Sequence, residues 1–225
     1  DPRVELARKL PGEVQPEELT PTGIPGLYEL ARGMEIGYVS EDGMYFISDG
    51  DLIDLHTRTS LTEQTRQRAR RDLLASVPED EMVVFAPESP RHTIIVFTNL
   101  ECAACRQFHA DVGELNKMGI EVRYLFWPFE GVESESWQKA VNVWCAKDRR
   151  EAFARAMRGE PVPPAHCDAT VIARHFALAG QLRLPGTPTV IAADGRLLAE
   201  ARYLPPEQVL ELLRQGQAEP SAPDT

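Results

Sequence analysis

The sequence predicts an α+β protein with two unlike parts, a small antiparallel sheet followed by a larger domain that mixes strands and helices. Short strand-like runs separated by turn residues occupy residues 26–55, and this pattern is typical of a meander. Farther along the chain, longer apolar runs alternate with helical patterns, and a strand, helix, strand succession predicts a right-handed parallel crossover. We therefore expect one domain at 1–60, a second at 79–216, and a linker at 61–78.

The first domain should begin with a short amphipathic helix, a turn and a second helical turn within residues 1–19. Four strands are predicted next, at 27–30, 36–39, 44–47 and 52–55. About sixty residues with few large apolar side chains make a marginal domain, and the edge strands of a small sheet leave backbone groups unpaired. We interpret this part as a dimerisation domain, because pairing with a second copy would solve both problems. The alternative is an appendage that packs on the main domain.

The linker is predicted to be a polar helix over residues 61–78. Ser60 and Glu63 have the spacing of a capping box, and Pro78 ends the pattern. The apolar positions form only a thin stripe, so the helix is better suited to joining two domains than to lying in a core.

The larger domain has five predicted strands and five predicted helices. The strands are expected at 82–86, 93–98, 121–126, 189–192 and 196–203. The helices are expected after Cys102 and over 137–144, 150–157, 169–179 and 207–213. The tail, residues 217–225, contains two prolines and no large apolar side chain, and is predicted to be disordered.

Cys102 and Cys105 form a C-x-x-C motif directly after the strongest strand signal, so Cys102 should lie at the N-terminus of a helix. Free backbone N–H groups and the helix macrodipole favour a thiolate there, and thiolates attack disulfides. Cys105, one turn further along, could then resolve a mixed disulfide. The alternatives are half of a zinc site or a stapling disulfide. Zinc would require a second close pair of ligands, which the distant remaining cysteines do not supply, so we predict no metal and no cofactor.

Two further features leave alternatives open. Cys145 and Cys167 are either a disulfide pair that closes a loop of about twenty residues or two free buried thiols. Pro188 precedes an apolar strand, where a cis Thr187–Pro188 bond would present a backbone edge to its surroundings, although an ordinary trans bond has the higher base rate.

Composition narrows the class of partner. The formal net charge of -11 argues against a nucleic acid or an anionic membrane as partner. No apolar run approaches the roughly 20 residues of a membrane span. The N-terminus has no apolar signal-peptide core, so the chain is expected to be either cytosolic or a processed, mature form.

These features together resemble the thioredoxin fold, in which a C-x-x-C at the start of a helix faces a cis-proline loop. More closely, all but the last nine residues resemble the DsbC family of periplasmic protein disulfide isomerases, part of a wider DsbC/DsbG group. The resembling segments are 96–99, 102–105, 122–125, 144–148, 167–168 and 186–188. The related DsbG family lacks the segment at 144–148, which favours the first family.

The resemblance implies that Cys102 is the attacking cysteine and Cys105 the resolving one. It also implies that Thr187 and a cis Pro188 line a substrate groove. The implied activity is the rearrangement of incorrect disulfides in secreted proteins, together with chaperone activity. A thiol-disulfide oxidase and a holdase chaperone remain the alternatives.

The resemblance also implies a disulfide between Cys145 and Cys167, a thioredoxin-like domain at 79–216 and a cystatin-like N-terminal domain. The latter would join two chains into a V-shaped homodimer whose cleft holds misfolded, disulfide-containing proteins. A membrane thiol reductase of the DsbD type would keep the catalytic pair reduced, and the mature chain would be periplasmic.

The sequence departs from the resembling proteins at two points. Ala103 and Ala104 replace the more usual Gly-Tyr dipeptide of the family, and Val96 occupies the position of a buried proton-transferring Asp in thioredoxin. Proton transfer would need another group. Glu101 and His109 are the nearest in sequence, and we interpret both as solvated or helix-capping side chains.

Overall fold

The computed structural model describes residues 1–216 and divides into two compact units. The first unit runs from Asp1 to Asp72 and the second from Leu73 onward. The predicted disordered tail, 217–225, lies outside the described residues. Among the helices of residues 1–216, none has the length and apolarity that a bilayer span would require.

The first unit consists of one helix, a four-stranded antiparallel sheet, a two-stranded ribbon and the start of a second helix. In chain order these are α1 (Pro2–Lys9), β1 (Leu19–Pro21), β2 (Leu27–Arg32), β3 (Glu35–Ser40), β4 (Phe46–Ile47), β5 (Ile53–Asp54), β6 (Thr59–Ser60) and α2 (Leu61–Ala75). The sheet has the order β1-β2-β3-β4, and β5 pairs only with β6. Helix α2 ends three residues before the predicted limit of 78.

The predicted meander is wrong at both of its ends. The strand predicted at 52–55 shrinks to Ile53–Asp54 and leaves the sheet, because the Asp54 carboxylate accepts backbone N–H bonds from His56 and Thr57 and starts a turn. The predicted second helical turn is present as a 3₁₀ turn at Pro16–Glu18, and the unpredicted strand β1 begins directly after it, at Leu19. Only Leu19 of its three residues is buried, so the strand carries no alternating pattern.

The core of the first unit is small, and one edge of its sheet is apolar and exposed. Buried Leu6, Ala7, Leu19 and Val39 form the core cluster. The segment from Met44 to Ile47 lies at the β4 edge, and its four large apolar side chains are 51–76% exposed.

The second unit contains a four-stranded mixed sheet and six helices in the described range, besides the end of α2. The strands are β7 (Val83–Phe85), β8 (His92–Thr98), β9 (Ile120–Phe126) and β10 (Thr189–Ala192), in the order β10-β8-β9-β7. The helices are α3 (Ala103–Ala110), α4 (Val112–Lys117), α5 (Glu135–Trp144), α6 (Arg149–Met157), α7 (Thr170–Gln181) and α8 (Pro206–Gln215). Strands β8 and β9 are parallel, as the crossover predicts, and the other two pairings are antiparallel.

Two predictions in this unit are wrong in detail. The helix after Cys102 is broken at Asp111, where α3 ends and α4 begins. The strand predicted at 196–203 is reduced to one bridge, between Ile191 and Leu197, followed by a 3₁₀ turn at Ala201–Tyr203. Leu198 and Ala201 are both buried there, and burial three residues apart suits a helical turn and not a strand.

Strand β8 positions the candidate site. Its last five residues, 94–98, are all buried, and seven of its residues register with β9. Because β8 pairs with a strand on each side, its C-terminal end has a fixed position in the sheet. Residues 99–102 follow that end and lead directly into α3.

Candidate active site

Cys102 is the residue immediately before α3. Its backbone N–H donates to the carbonyl oxygen of Asn99 at 3.1 Å, and its own carbonyl accepts from Arg106 N at 3.1 Å. The first bond closes a four-residue turn and the second begins the helical ladder. Cys102 is partly exposed, whereas Cys105 is only 1% exposed, so a second protein can reach only the first sulfur.

The thiol of Cys102 is more acidic than an ordinary cysteine. Burial is the largest influence and by itself raises the pKa of Cys102. The backbone N–H of Cys105, the Thr187 hydroxyl and the Cys105 thiol act in the opposite direction, as does the backbone of Ala104. These donors outweigh burial, so the pKa of Cys102 lies below its usual range.

Cys105 has the opposite character. The pKa of Cys105 is raised to about 11, mainly by burial. The Thr98 hydroxyl and the backbone of Asn99 lower the pKa, but they do not outweigh burial. Near neutral pH this sulfur is therefore a protonated thiol beside a more acidic neighbour.

The Thr187–Pro188 bond is cis, and this loop lies against the first cysteine. The Cys102 thiol donates to the carbonyl oxygen of Thr187 over 3.5 Å. The hydroxyls of Thr98 and Thr187 are buried without a hydrogen-bond partner of good geometry among the described residues. Both lie near enough to a cysteine sulfur to lower its pKa.

The interpretation of His109 as a solvated or capping side chain is wrong. Its ring lies 5.0–5.5 Å from the rings of Phe85, Tyr124 and Phe153, and its Nδ1 shares a hydrogen bond with the Tyr124 hydroxyl at 3.1 Å. Burial lowers the pKa of His109 to about 4, so the ring is neutral near pH 7. Val96 is fully buried at the position where thioredoxin has its aspartate.

Glu101, by contrast, is a partly exposed ionic side chain. Its carboxylate forms ion pairs with Lys139 on α5 and with Arg106 on α3. Exposed pairs of this kind contribute little stability.

Cys145 and Cys167 are joined in a disulfide that links the end of α5 to the segment before α7. The two Cα atoms are 5.4 Å apart, and 22 positions separate the cysteines in the sequence. The structure thus places the four cysteines in two classes, one bridged pair and one free pair. Within residues 1–216, no group of three or more His, Cys, Asp or Glu side chains is arranged to hold a metal ion.

Sequence reasoning missed two polar residues that hold the turn before Cys102. Asn99 is 2% exposed, and its side-chain amide donates to the Glu130 carboxylate at 2.9 Å. The signal for Asn99 was its position directly between a buried strand and the C-x-x-C motif. No local signal marks Glu130, which lies 31 positions away.

Comparison with known proteins accounts for both units. The family model described as "Disulfide bond isomerase protein N-terminal domain" matches residues 2–63, and the model described as "Thioredoxin-like domain" matches residues 78–217. The thiol:disulfide interchange protein DsbC of Escherichia coli is 33% identical over 204 residues, which span 91% of this chain and 84% of that protein. The chain belongs to the DsbC family.

Other relatives agree with this membership. DsbC of Salmonella typhimurium is 33% identical over 208 residues, or 92% of this chain and 85% of that protein. A disulfide interchange protein from Neisseria gonorrhoeae superposes with a TM-score of 0.55 at 26% identity, over 64% of this chain and the whole of that structure. The predicted α+β fold with a thioredoxin-like domain is confirmed. As a DsbC-family protein, the chain is a disulfide isomerase, an enzyme of the thiol-disulfide oxidoreductase class. An oxidase and a chaperone without isomerase activity are not favoured by these relatives.

Proposed function

We propose that Cys102 is the attacking thiolate of this isomerase and Cys105 its resolving thiol. The Cys102 thiolate attacks one sulfur of an incorrect disulfide, so a new S–S bond forms to Cys102 while the substrate bond breaks and releases a substrate thiolate. When that thiolate attacks another disulfide of the substrate, the free substrate thiolate so produced can displace Cys102. No electrons are gained or lost overall.

Cys105 provides the second route out of the mixed disulfide. Its thiolate attacks the Cys102 sulfur, the substrate leaves reduced by two electrons, and a Cys102–Cys105 disulfide forms. That disulfide must be reduced again by an external dithiol. Burial is the main cause of the raised pKa of Cys105, and burial persists when Cys102 is joined to a substrate, so this route should be slow near neutral pH and leave the substrate time to rearrange.

The single observation that carries this proposal is the contrast between the two sulfurs. Cys102 is reachable and has a lowered pKa, whereas Cys105 is 1% exposed and has a raised one. We assign Thr187 and Pro188 to the substrate groove, because the Thr187 carbonyl already contacts the Cys102 sulfur, and a substrate chain joined to that sulfur must pass beside this loop.

Refolding of scrambled ribonuclease tests the assignment. The unaltered chain should restore ribonuclease activity, and Cys102→Ser should restore none above the uncatalysed rate. Cys105→Ser is the matched control, since it retains the attacking sulfur and should accumulate mixed disulfides with the substrate. Equal recovery by Cys102→Ser and the unaltered chain would exclude Cys102 as the nucleophile.

We also propose that the first unit pairs with a second copy of the chain to form a homodimer. The four exposed apolar side chains of residues 44–47 lie at an unpaired sheet edge, and the core of this unit is small. Burying an apolar edge of this kind against another copy removes the unpaired backbone groups and the exposed apolar surface together.

Sedimentation of the full chain tests the dimer. Ile47→Lys adds a charge at the β4 edge and should shift the chain toward monomer. Thr20→Lys adds the same charge on exposed β1, at the opposite edge of the sheet, and should leave the dimer intact. A dimer that survives Ile47→Lys would place the interface elsewhere.

We propose further that the mature chain works in the periplasm on misfolded, disulfide-containing proteins and is reset by a membrane thiol reductase of the DsbD type. An oxidising compartment preserves the Cys145–Cys167 bridge, whereas the free Cys102–Cys105 pair requires a supply of electrons. Acid trapping and alkylation of the protein in periplasmic extracts should find Cys145 and Cys167 bridged, and Cys102 and Cys105 reduced. A catalytic pair trapped in the bridged form would exclude such a reductase.

A further inference from the structure

Asn99 occupies the turn that places the attacking sulfur. Its backbone carbonyl accepts from Cys102 N at 3.1 Å, and its side-chain Oδ1 accepts from Glu101 N at 2.9 Å. Asn99 therefore holds two successive residues directly before α3, Cys102 through its main chain and Glu101 through its side chain. Because Asn99 is 2% exposed, water cannot substitute readily for either bond.

The orientation of Asn99 depends on Glu130, in the loop after β9. Glu130 Oε2 accepts from Asn99 Nδ2 at 2.9 Å and from the Ser136 hydroxyl at 2.6 Å. Burial raises the pKa of Glu130, but the Ser136 hydroxyl, its own backbone and the Asn99 amide outweigh burial and lower it. Glu130 is therefore an ionised acceptor near neutral pH.

Glu130 is itself exposed, so loss of its carboxylate would replace a fixed acceptor of the Asn99 amide with mobile water. The Asn99 side chain would then be free to rotate toward water or another acceptor. Rotation would withdraw Oδ1 from Glu101 N and loosen the turn that ends at Cys102. The sulfur would then move relative to the backbone N–H groups that make it acidic.

We propose that Glu130 is a positioning residue that acts through Asn99 to hold Cys102 at the N-terminus of α3. Glu130 contacts no reacting atom, and its effect on thiol exchange passes through the turn. This inference rests on the proposed role of Cys102 as the attacking thiolate.

The test compares Glu130→Ala with Glu130→Gln in the full-length chain, with the rate of Cys102 alkylation followed against pH. The Ala variant should raise the pKa of Cys102 by about half a unit or more, which lowers its reactivity about threefold or more at pH values well below that pKa. The Gln variant should behave as the unaltered chain, because both bonds go to one carboxylate oxygen and an amide oxygen can accept them equally. At pH values well above the pKa of Cys102 in all three proteins, the alkylation rate should reach the same maximum. A misfolded variant would not share that maximum.

Two results would overturn the inference. An unchanged pKa of Cys102 in Glu130→Ala would show that the turn does not depend on the carboxylate. A pKa that falls in Glu130→Gln would show that Glu130 acts by its charge and not by holding Asn99.

A double-mutant cycle separates the effect of the Glu130–Asn99 hydrogen bond from general destabilisation. Asn99→Ala should raise the pKa of Cys102 as Glu130→Ala does, and the double variant should raise it no further. Additive shifts would contradict action through Asn99. Ser136→Ala removes the other partner of Glu130 and serves as the matched control, with a smaller shift expected. If Cys102 had no lowered pKa in the unaltered chain, its proposed role as the attacking thiolate would be wrong, whatever the Glu130 variants showed.

Discussion

The two cysteine pairs of this chain contain the same side chains but have opposite chemistry. Cys145 and Cys167 lie 22 positions apart and are bridged, whereas Cys102 and Cys105 lie three apart and are free. The first bond joins segments that are distant in sequence, so it constrains the unfolded chain. The second pair closes only one helical turn, so a bond there would constrain little.

Local backbone geometry accounts for the reactive pair. The Cys102 sulfur bonds to backbone groups of Ala104 and Cys105 in the first turn of α3, whereas the Cys105 side chain is buried. The two sulfurs are therefore shifted in opposite directions, one toward thiolate and one toward thiol. Sequence spacing therefore decides which cysteine pair can stabilise the fold, and position in the helix decides which sulfur can react.

The largest expected effect is selectivity in alkylation. With a pKa of about 11, about one Cys105 side chain in ten thousand is ionised at pH 7. Cys102, with its lowered pKa, is more than about one hundred times more ionised, and the burial of Cys105 adds to the difference. A mass-spectrometric time course with iodoacetamide should therefore label Cys102 almost exclusively.

The control for this experiment is the same chain in guanidinium chloride without a reductant. Cys102 and Cys105 should then react at similar rates, while the bridged pair stays unlabelled. Labelling of Cys145 or Cys167 under these conditions would show that the two pairs do not differ as the structure indicates. Comparable rates for the free cysteines in the native chain would contradict the opposed pKa shifts.

The second effect is on stability. Cys145→Ala combined with Cys167→Ala opens a loop defined by a separation of 22 residues and should lower the free energy of unfolding by about 3 kcal/mol. Urea unfolding of the second unit, followed by tryptophan fluorescence, measures the change. The pKa of Cys102 should be unaltered in the folded variant. A destabilised chain with a changed thiol pKa would mean that the two pairs are coupled and not independent.

The second unit was predicted from the sequence more accurately than the first. Strands β8 and β9 are long apolar runs whose burial is visible in the sequence itself. The sheet of the first unit includes strands of two and three residues, and such short elements carry no periodicity. Their positions depend on pairing with neighbours and on turn residues such as Asp54.

The candidate site was predicted only where its signal is local. The C-x-x-C motif and the Thr-Pro dipeptide are short patterns, and both lie at the site. The Glu130 contact with Asn99 joins residues 31 positions apart, and the burial of His109 depends on Phe153 from α6. Residue spacing alone left the partner of Cys145 open, since a disulfide depends on distances that only the folded chain defines.

The smallest expected effect concerns Thr187 and separates its hydroxyl from the helix N-terminus as causes of the acidity of Cys102. Thr187→Val preserves the branched shape and the backbone carbonyl but removes a hydroxyl that lowers the pKa of both free cysteines. We expect the pKa of Cys102 to rise by a fraction of a unit, which would reduce its alkylation rate about twofold to fivefold at pH values well below that pKa.

Thr189→Val is the matched control for this last experiment. The Thr189 hydroxyl donates to the Gly186 carbonyl at 2.6 Å, so its loss should affect the loop without changing the pKa of Cys102. An unchanged pKa in Thr187→Val would assign the acidity to the backbone of α3 together with the Cys105 thiol. A rise of a full unit or more would instead make the Thr187–Pro188 loop the main cause of the low pKa of Cys102. The contrast between the two cysteine pairs would then depend on Thr187, which lies 85 positions from Cys102 in the sequence, and not on helix position.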